Sequence, residues 1–261
     1  MNHLRIAWKF PALILATAGA ALIAATARAA SRGRLPAAGR WASRACSLWS
    51  RWVCAILRIH RRVEGAPSGT PFLVAANHLT YADIWVLGSL YPSIFVAKQE
   101  ISGWPVFGWV ARTAGTLFVD RDVARDVLRV GRLMEAHLAA GVPLTVFPEG
   151  GTSPGDAVRP FMSSILEPAA RAHVPCFAAS ISYETPRSGE PPTRTICWSG
   201  GNPPFLQHLL GLMRLTRIDA TVRFSPVPVR SADRKELARL LWEEASRTFV
   251  PIRTEETTEF A

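Results

Sequence analysis

His78 and Asp83 stand five positions apart, directly after the short apolar run Phe72-Leu73-Val74-Ala75-Ala76. An imidazole beside a carboxylate is the pairing of general acid–base catalysis. The carboxylate takes the Nδ1 proton, fixes the tautomer and leaves Nε2 to accept a proton from a substrate hydroxyl. On one continuous helix a separation of five turns the second side chain away from the first. The pair can therefore meet only if His78 lies in a turn and Asp83 in the first turn of a helix. Thr80 stands three residues before Asp83 and ahead of Ile84-Trp85-Val86-Leu87, a capping-box pattern that predicts Thr80 as N-cap. The plainer alternative is a helix-capping Asp83 beside a turn histidine, and the spacing alone leaves it open.

Two further stretches place chemistry at the ends of apolar runs. In Gly115-Thr116-Leu117-Phe118-Val119-Asp120-Arg121 the run ends in Arg121, whose guanidinium suits bidentate recognition of a phosphate or carboxylate. Pairing of Arg121 with Asp120 or Asp122 on the surface is the alternative. In Phe147-Pro148-Glu149-Gly150-Gly151-Thr152-Ser153-Pro154-Gly155 a run releases into a loop of glycines and hydroxyls. Its backbone N–H groups can wrap an anionic head group. A tight structural turn would need no carboxylate at Glu149.

The elements that must position these residues alternate. Strands are expected over Phe72–Ala76, Ile94–Ala97, Thr116–Val119, Leu144–Phe147, Cys176–Ser182, Thr195–Trp198 and Ala220–Phe224. Helices are expected over Asp83–Leu90, Val106–Thr113, Arg121–Ala140, Ser163–Ala172, Phe205–Leu215 and Ala232–Thr248. This alternation predicts an α/β fold with a mixed, largely parallel sheet flanked by helices. Ligands of such sheets bind outside the carboxyl ends of the strands, where all three stretches fall.

Ahead of the sheet, the uncharged run Phe10–Ala27 would be roughly 27 Å long as a helix, close to the ~30 Å of a bilayer core. Arg5 and Lys9 precede it and Ala27-Arg28-Ala29-Ala30 offers small residues for cleavage, so a signal peptide is an alternative to an anchor. From Arg40 to Ile59, residues Trp41, Ala45, Leu48, Trp52, Ile56 and Ile59 share one helical stripe beside Arg40, Arg44, Arg51 and Arg58. That describes a helix lying in the membrane interface against anionic head groups; an amphipathic helix facing the core is the alternative. The expected organisation is membrane-anchoring helices over residues 1–62, a catalytic domain over 63–250 and a tail over 251–261.

The 261 residues carry a formal charge of +10 and are 49% hydrophobic, enough for one sizeable core beside a polyanionic surface. A nucleic-acid partner is disfavoured because the arginines flank an apolar helix instead of interleaving with aromatics along a groove. Cys46, Cys54, Cys176 and Cys197 show neither CxxC spacing nor metal-ligand spacing, so they are expected reduced and buried, with no metal, in a domain facing the cytosol.

The ordered set Asn77-His78 with Asp83, Gly115 to Arg121, and Phe147-Pro148-Glu149-Gly150 followed by Thr152 and Ser153 resembles the glycerolipid acyltransferase family, over roughly residues 60 to 250. Val174-Pro175-Cys176-Phe177 is similar to that family's fourth block, with Ala178 or Ala179 where a later proline is usual. The resemblance implies His78 as general base and Asp83 as its orienting partner. It implies Arg121 on the acceptor's phosphate, with Glu149, Gly150, Gly151, Thr152 and Ser153 shaping the acceptor site. Gly151 interrupts the usual Glu-Gly-Thr-Arg form, and Arg159 stands where it can supply the missing positive charge. The implied reaction moves a fatty acyl group from an acyl carrier protein or coenzyme A thioester, without a cofactor, to the hydroxyl of a lysophospholipid at the inner membrane. The first acceptor is 1-acyl-glycerol-3-phosphate. The third block, Cys197-Trp198-Ser199-Gly200 and Phe205-Leu206-Gln207-His208-Leu209 are similar to the ornithine-lipid branch, which implies a lyso-ornithine lipid instead. A lipid hydrolase could use the same His/Asp pair on water.

Overall fold

The computed structural model of the protein describes residues 2–31, 37–105, 107–186, 188–199, 201 and 203–252. Helices α1 (Asn2–Ala30) and α2 (Ala37–Leu57) come first. Arg58 then takes a left-handed backbone with φ 61°, uncommon for a residue with a Cβ, and turns α2 directly into strand β1 (Ile59–Glu64). The chain continues through β2 (Leu73–Ala76), α3 (Ala82–Leu90), β3 (Ile94–Lys98), α4 (Phe107–Thr113), β4 (Leu117–Val119), α5 (Ala124–Ala139) and β5 (Leu144–Val146). After a 3-10 turn at Ser163–Leu166 come α6 (Glu167–Arg171), β6 (Cys176–Glu184), α7 (Pro192–Thr195), α8 (Phe205–Arg214), β7 (Ile218–Phe224) and α9 (Arg234–Thr248).

Among the described residues the strands form one seven-stranded sheet in the order β1-β7-β6-β2-β5-β3-β4. Every neighbouring pair is parallel except β6 with β7. β2 sits at the centre, and its side chains alternate between two core layers. Val74 and Ala76 join the layer made with Trp49, Val53 and Trp85. Leu73 and Ala75 join the one made with Val130, Met134 and Leu241. Burial on both faces is why this strand reads as a continuous apolar run.

Two strand expectations are corrected. Thr195–Trp198 is not a strand: Pro191 and Pro192 lead into the short helix α7, as proline's fixed φ favours at a helix start. Its apolar residues serve burial, and the Trp198 amide donates to the Leu79 carbonyl (3.0 Å). Ile59–Glu64, where the N-terminal helices are expected to give way to the catalytic domain, is strand β1, so the sheet begins before residue 63. Its exposed His60, Arg61 and Arg62 hid it, but charge on an edge strand is normal protection against unwanted pairing. The expected helix start at Val106, Gly200 and the tail beyond Ile252 lie outside the described residues.

The two N-terminal helices pack on the domain through small residues beside Trp49, Val53 and Leu57. Ser43, Cys46, Ser47, Ser50 and Cys54 of α2 are buried, while Trp41, Leu48 and Trp52 are 47%, 37% and 36% exposed. Ala45 and Ile59, expected on the exposed stripe, are buried. Gly88 of α3 permits the close approach: a Cβ there would lie 2.6 Å from the Ser50 hydroxyl. Helix α1 is long and apolar enough to cross a membrane by length and composition, yet Arg5 and Lys9 in its first turns are engaged. Lys9, 1% exposed, donates to the Leu215 carbonyl (3.0 Å), and Arg5 donates to that of Arg214 (2.9 Å). Both cations thus sit at the C-terminal end of α8, where its dipole and orphan carbonyls favour them. The Trp49 indole donates to Thr17 (3.1 Å), tying α2 to α1. Cys46, Cys54, Cys176 and Cys197 are buried and unbridged.

Candidate active site

The site is built from the carboxyl ends of β2, β4 and β5. Asn77 leaves β2 fully buried, and its amide clamps Ile181 of β6 from both sides, donating to the carbonyl (3.1 Å) and accepting from the N–H (2.7 Å). The ladder is thereby prolonged by a side chain, and the next residue, His78, is held at a defined height above the sheet. Its ring stacks on Phe147 at the end of β5, centroids 4.0 Å apart and planes 15° from parallel.

His78 Nδ1 lies 2.8 Å from Asp83 Oδ2. Asp83 is fully buried and surrounded by donors. Oδ2 also accepts from the amides of Leu79 (2.7 Å) and Thr80 (3.0 Å), and Oδ1 accepts from the Tyr183 hydroxyl (2.6 Å). A carboxylate so placed can only accept, so His78 carries its proton on Nδ1 and keeps a lone pair on Nε2. The expected capping box is half present. Helix α3 starts at Ala82, the Asp83 amide donates to the Thr80 carbonyl instead of its hydroxyl, and only the reciprocal bond from Asp83 to the Thr80 amide forms. The carboxylate's three N–H contacts gather this turn around His78, so no threonine cap is needed.

Tyr183 carries no signal in its surroundings, since Cys176–Glu184 reads simply as a buried strand. Burial first, then the neighbouring Asp83 carboxylate, pushes its phenol well above the usual tyrosine range. It therefore stays a donor to Asp83 at all ordinary pH.

A cleft of about 670 Å³ opens in front of His78. Arg121, Arg159, Gly150, Gly151 and Thr152 line it together with His78. Gly150 has φ +82°, and a Cβ there would lie 2.9 Å from Arg121 Nη1 and 2.8 Å from Met162 Sδ. Glycine is thus required both for the turn and for the space the guanidinium occupies. Burial works against the charge of Arg121, and the Glu100 carboxylate, which also lines the cleft, supports it.

Glu149 and Ser153 lie behind the cleft wall and meet the main chain of His78. The His78 amide donates to Glu149 Oε1 (3.3 Å), and the Ser153 amide donates to the His78 carbonyl (2.7 Å). Glu149 Oε2 has no partner in hydrogen-bond geometry, with the Ser153 hydroxyl and Arg159 amide near enough only to soften that burden. Its carboxyl is pushed up to about 7, chiefly by burial and further by Asp83.

The same cleft is lined by aromatic rings, those of Trp49, Trp85, Phe95, Phe107, Trp198 and Phe205. Tyr81 stands among these rings within 4.9 Å of Phe205 and 5.3 Å of Trp198, centroid to centroid. Its hydroxyl meets His208 Nδ1 at 2.8 Å. These residues are scattered along the chain and no spacing announces them. Charged groups and aromatic walls in one cleft suit a substrate with an ionic head and a hydrocarbon tail.

The acyltransferase family model matches residues 58–182, which span β1 to most of β6. The lyso-ornithine lipid O-acyltransferase of Pseudomonas aeruginosa is 37% identical over 192 residues, covering 73% of this chain and 72% of that one. This chain belongs to the acyltransferase family. A second family member, the 1-acyl-sn-glycerol-3-phosphate acyltransferase of Neisseria meningitidis serogroup B, is 34% identical over 164 residues, or 62% of this chain and 63% of that protein. The crystal structure of PlsC, the 1-acyl-sn-glycerophosphate acyltransferase of Thermotoga maritima, shares the fold of this acyltransferase, with a TM-score of 0.64 at 21% identity and 95% of each chain covered.

Proposed function

We propose that this acyltransferase moves a fatty acyl group from a thioester of acyl carrier protein or coenzyme A to the hydroxyl of a lysolipid with an anionic head group, first 1-acyl-glycerol-3-phosphate, giving phosphatidic acid. One observation carries this reading: the imidazole oriented by Asp83 shares a single cleft with Arg121, Arg159 and an aromatic trough. His78 Nε2 takes the acceptor hydroxyl's proton as the oxygen bonds to the thioester carbon. The tetrahedral intermediate collapses with loss of the thiolate, which takes the proton back from the imidazolium. Arg121 and Arg159 hold the acceptor's anionic group, and the loop from Gly150 to Thr152 fixes its distance from His78.

A second acceptor, lyso-ornithine lipid, is favoured by Glu100. It lines the cleft and acts on Arg121, so a head group bearing both carboxylate and ammonium finds both partners. The named P. aeruginosa relative supports the same choice. The exposed apolar faces of α1 and α2 support a seat on a lipid surface, and we assign it to the cytoplasmic side of the inner membrane. On α2 the exposed Trp41, with the Arg44 guanidinium 5.6 Å from its ring centroid, sits with Leu48 and Trp52 at head-group depth.

The test is an assay of the purified protein in detergent micelles with lysophosphatidate or lyso-ornithine lipid, each with acyl carrier protein and coenzyme A thioesters. Transfer to one acceptor, lost by ~10² to 10⁴-fold in His78→Ala, is the expected result. Release of free fatty acid without acceptor would make the protein a hydrolase, and an active His78→Ala enzyme would remove the base assignment.

A further inference from the structure

A second cavity, of about 340 Å³, lies between α5 and the segment from Ser164 to Arg171. Its floor is apolar, formed by Val127, Val130 and Met134 of α5 with Ile165 and Pro168 opposite. Its rim carries Arg132, Arg171 and Arg234 with the carboxylates Glu135 and Glu167 among them, so that cations are in excess. Arg121 stands at its edge and also lines the cleft in front of His78, so one guanidinium joins the two spaces. The chemistry described above uses none of the three rim arginines.

Packing between helices would need the apolar floor but not this rim. The rim arginines are only loosely engaged. Arg171 approaches Glu135 and Glu167 at 3.6 Å each and Arg234 approaches Glu167 at 3.4 Å, all on solvated side chains. Ion pairs of this kind contribute little, about 0–1 kcal/mol, so an incoming phosphate can take the guanidiniums over. Arg132 pairs with no carboxylate among the described residues. An apolar slot edged by arginines, opening beside the catalytic cleft, matches a chain of amides and methyl groups that ends in a phosphate.

The geometry points to this groove as the site for the donor's phosphopantetheine arm, the part that coenzyme A and acyl carrier protein share. The arm lies along the apolar floor with its phosphate against Arg132 and Arg234, and its thioester passes Arg121 to reach His78. The inference rests on the thioester reading above and adds to it a place on the protein.

The experiment compares three donors with one acyl chain, the thioesters of coenzyme A, of acyl carrier protein and of pantetheine, which lacks the phosphate. They are assayed on the full-length enzyme, on Arg132→Ala/Arg234→Ala, and on Arg239→Ala as a surface control on α9. The expected result is a donor KM raised roughly tenfold in the double variant for both phosphorylated donors, as loss of charge-assisted contacts would give. The pantetheine thioester and the acceptor should keep their KM, and Arg132→Lys/Arg234→Lys should recover much of the loss. A rise with one phosphorylated donor alone would assign the groove to that carrier. An active double variant with unchanged donor KM, or a change in acceptor KM instead, would overturn the groove while leaving acyl transfer intact. If the unsubstituted protein used no thioester at all, acyl transfer and the groove would fall together.

Discussion

Two regions of the molecule solve opposite problems. Around His78 almost every polar group is held by a main-chain partner: Asn77 by Ile181, Asp83 by two amides, and the His78 carbonyl by Ser153. Across the α1–α2 surface, small side chains together with Trp49, Val53 and Leu57 face inward, while Trp41, Leu48 and Trp52 are turned outward. The first region is over-determined, and it fixes one ring at the wall of the cleft. The second seats its helices through close-packed inner residues and leaves bulky rings on the surface. One region saturates its hydrogen bonds; the other leaves apolar surface unsaturated.

The sharpest way to break this contrast is Asp83→Asn. The amide can present an N–H to His78, removing the force that keeps the proton on Nδ1, and kcat should fall by about 10⁴-fold, the loss a Ser-His-Asp triad shows when its histidine takes the wrong tautomer. A wild-type rate at unchanged fold, read by circular dichroism, would show that the carboxylate is only structural. Next comes Tyr183→Phe. Removing a 2.6 Å bond to a buried carboxylate should lower kcat by about tenfold and reduce stability by roughly 1.5–3 kcal/mol. An effect on denaturant midpoint with no effect on rate would place Tyr183 in folding alone.

On the other region, Trp41→Ser/Trp52→Ser should weaken vesicle binding by roughly tenfold, from the apolar area no longer buried, while activity in detergent micelles stays near normal. Unaltered co-sedimentation with vesicles would move the adhesive surface elsewhere.

The smallest effect is the pH response of Glu149→Gln. The native carboxyl, pushed up to about 7 from 4.5, binds its proton more tightly than the unfolded chain does. The stability it contributes is therefore complete below about pH 4.5 and is lost as pH rises through about 7. Glu149→Gln should gain in Tm over wild type near pH 8, with the gain fading by about pH 5; a pH-independent difference would mean that burial does not govern this group.

What the sequence made legible follows from range. His78 and Asp83 sit within one turn of each other, so their meeting could be argued from spacing, and β2 betrayed itself by being apolar on both faces. Tyr183 reaches Asp83 across a hundred positions, and nothing local distinguishes it from a core tyrosine. The strand β1 was concealed by edge charges, and Thr195–Trp198 imitated a strand because burial and β-branching are shared by both structures. Arg121 and Arg159 were separable from ordinary surface arginines only through the resemblance of the surrounding motifs. The sequence also expected Glu149 and Ser153 beside the acceptor, and they stand one layer back, against the His78 backbone.

The contact of Lys9 and Arg5 with the last carbonyls of α8 bears on how such a protein can be handled. Helix α8 also supplies Phe205 to the aromatic trough. Trimming the first helix to obtain a soluble form would strip two cations from the far end of the very element that walls the pocket. Deletion of α1 should therefore cost turnover, whereas replacing the outward-facing rings of α2 should leave it intact.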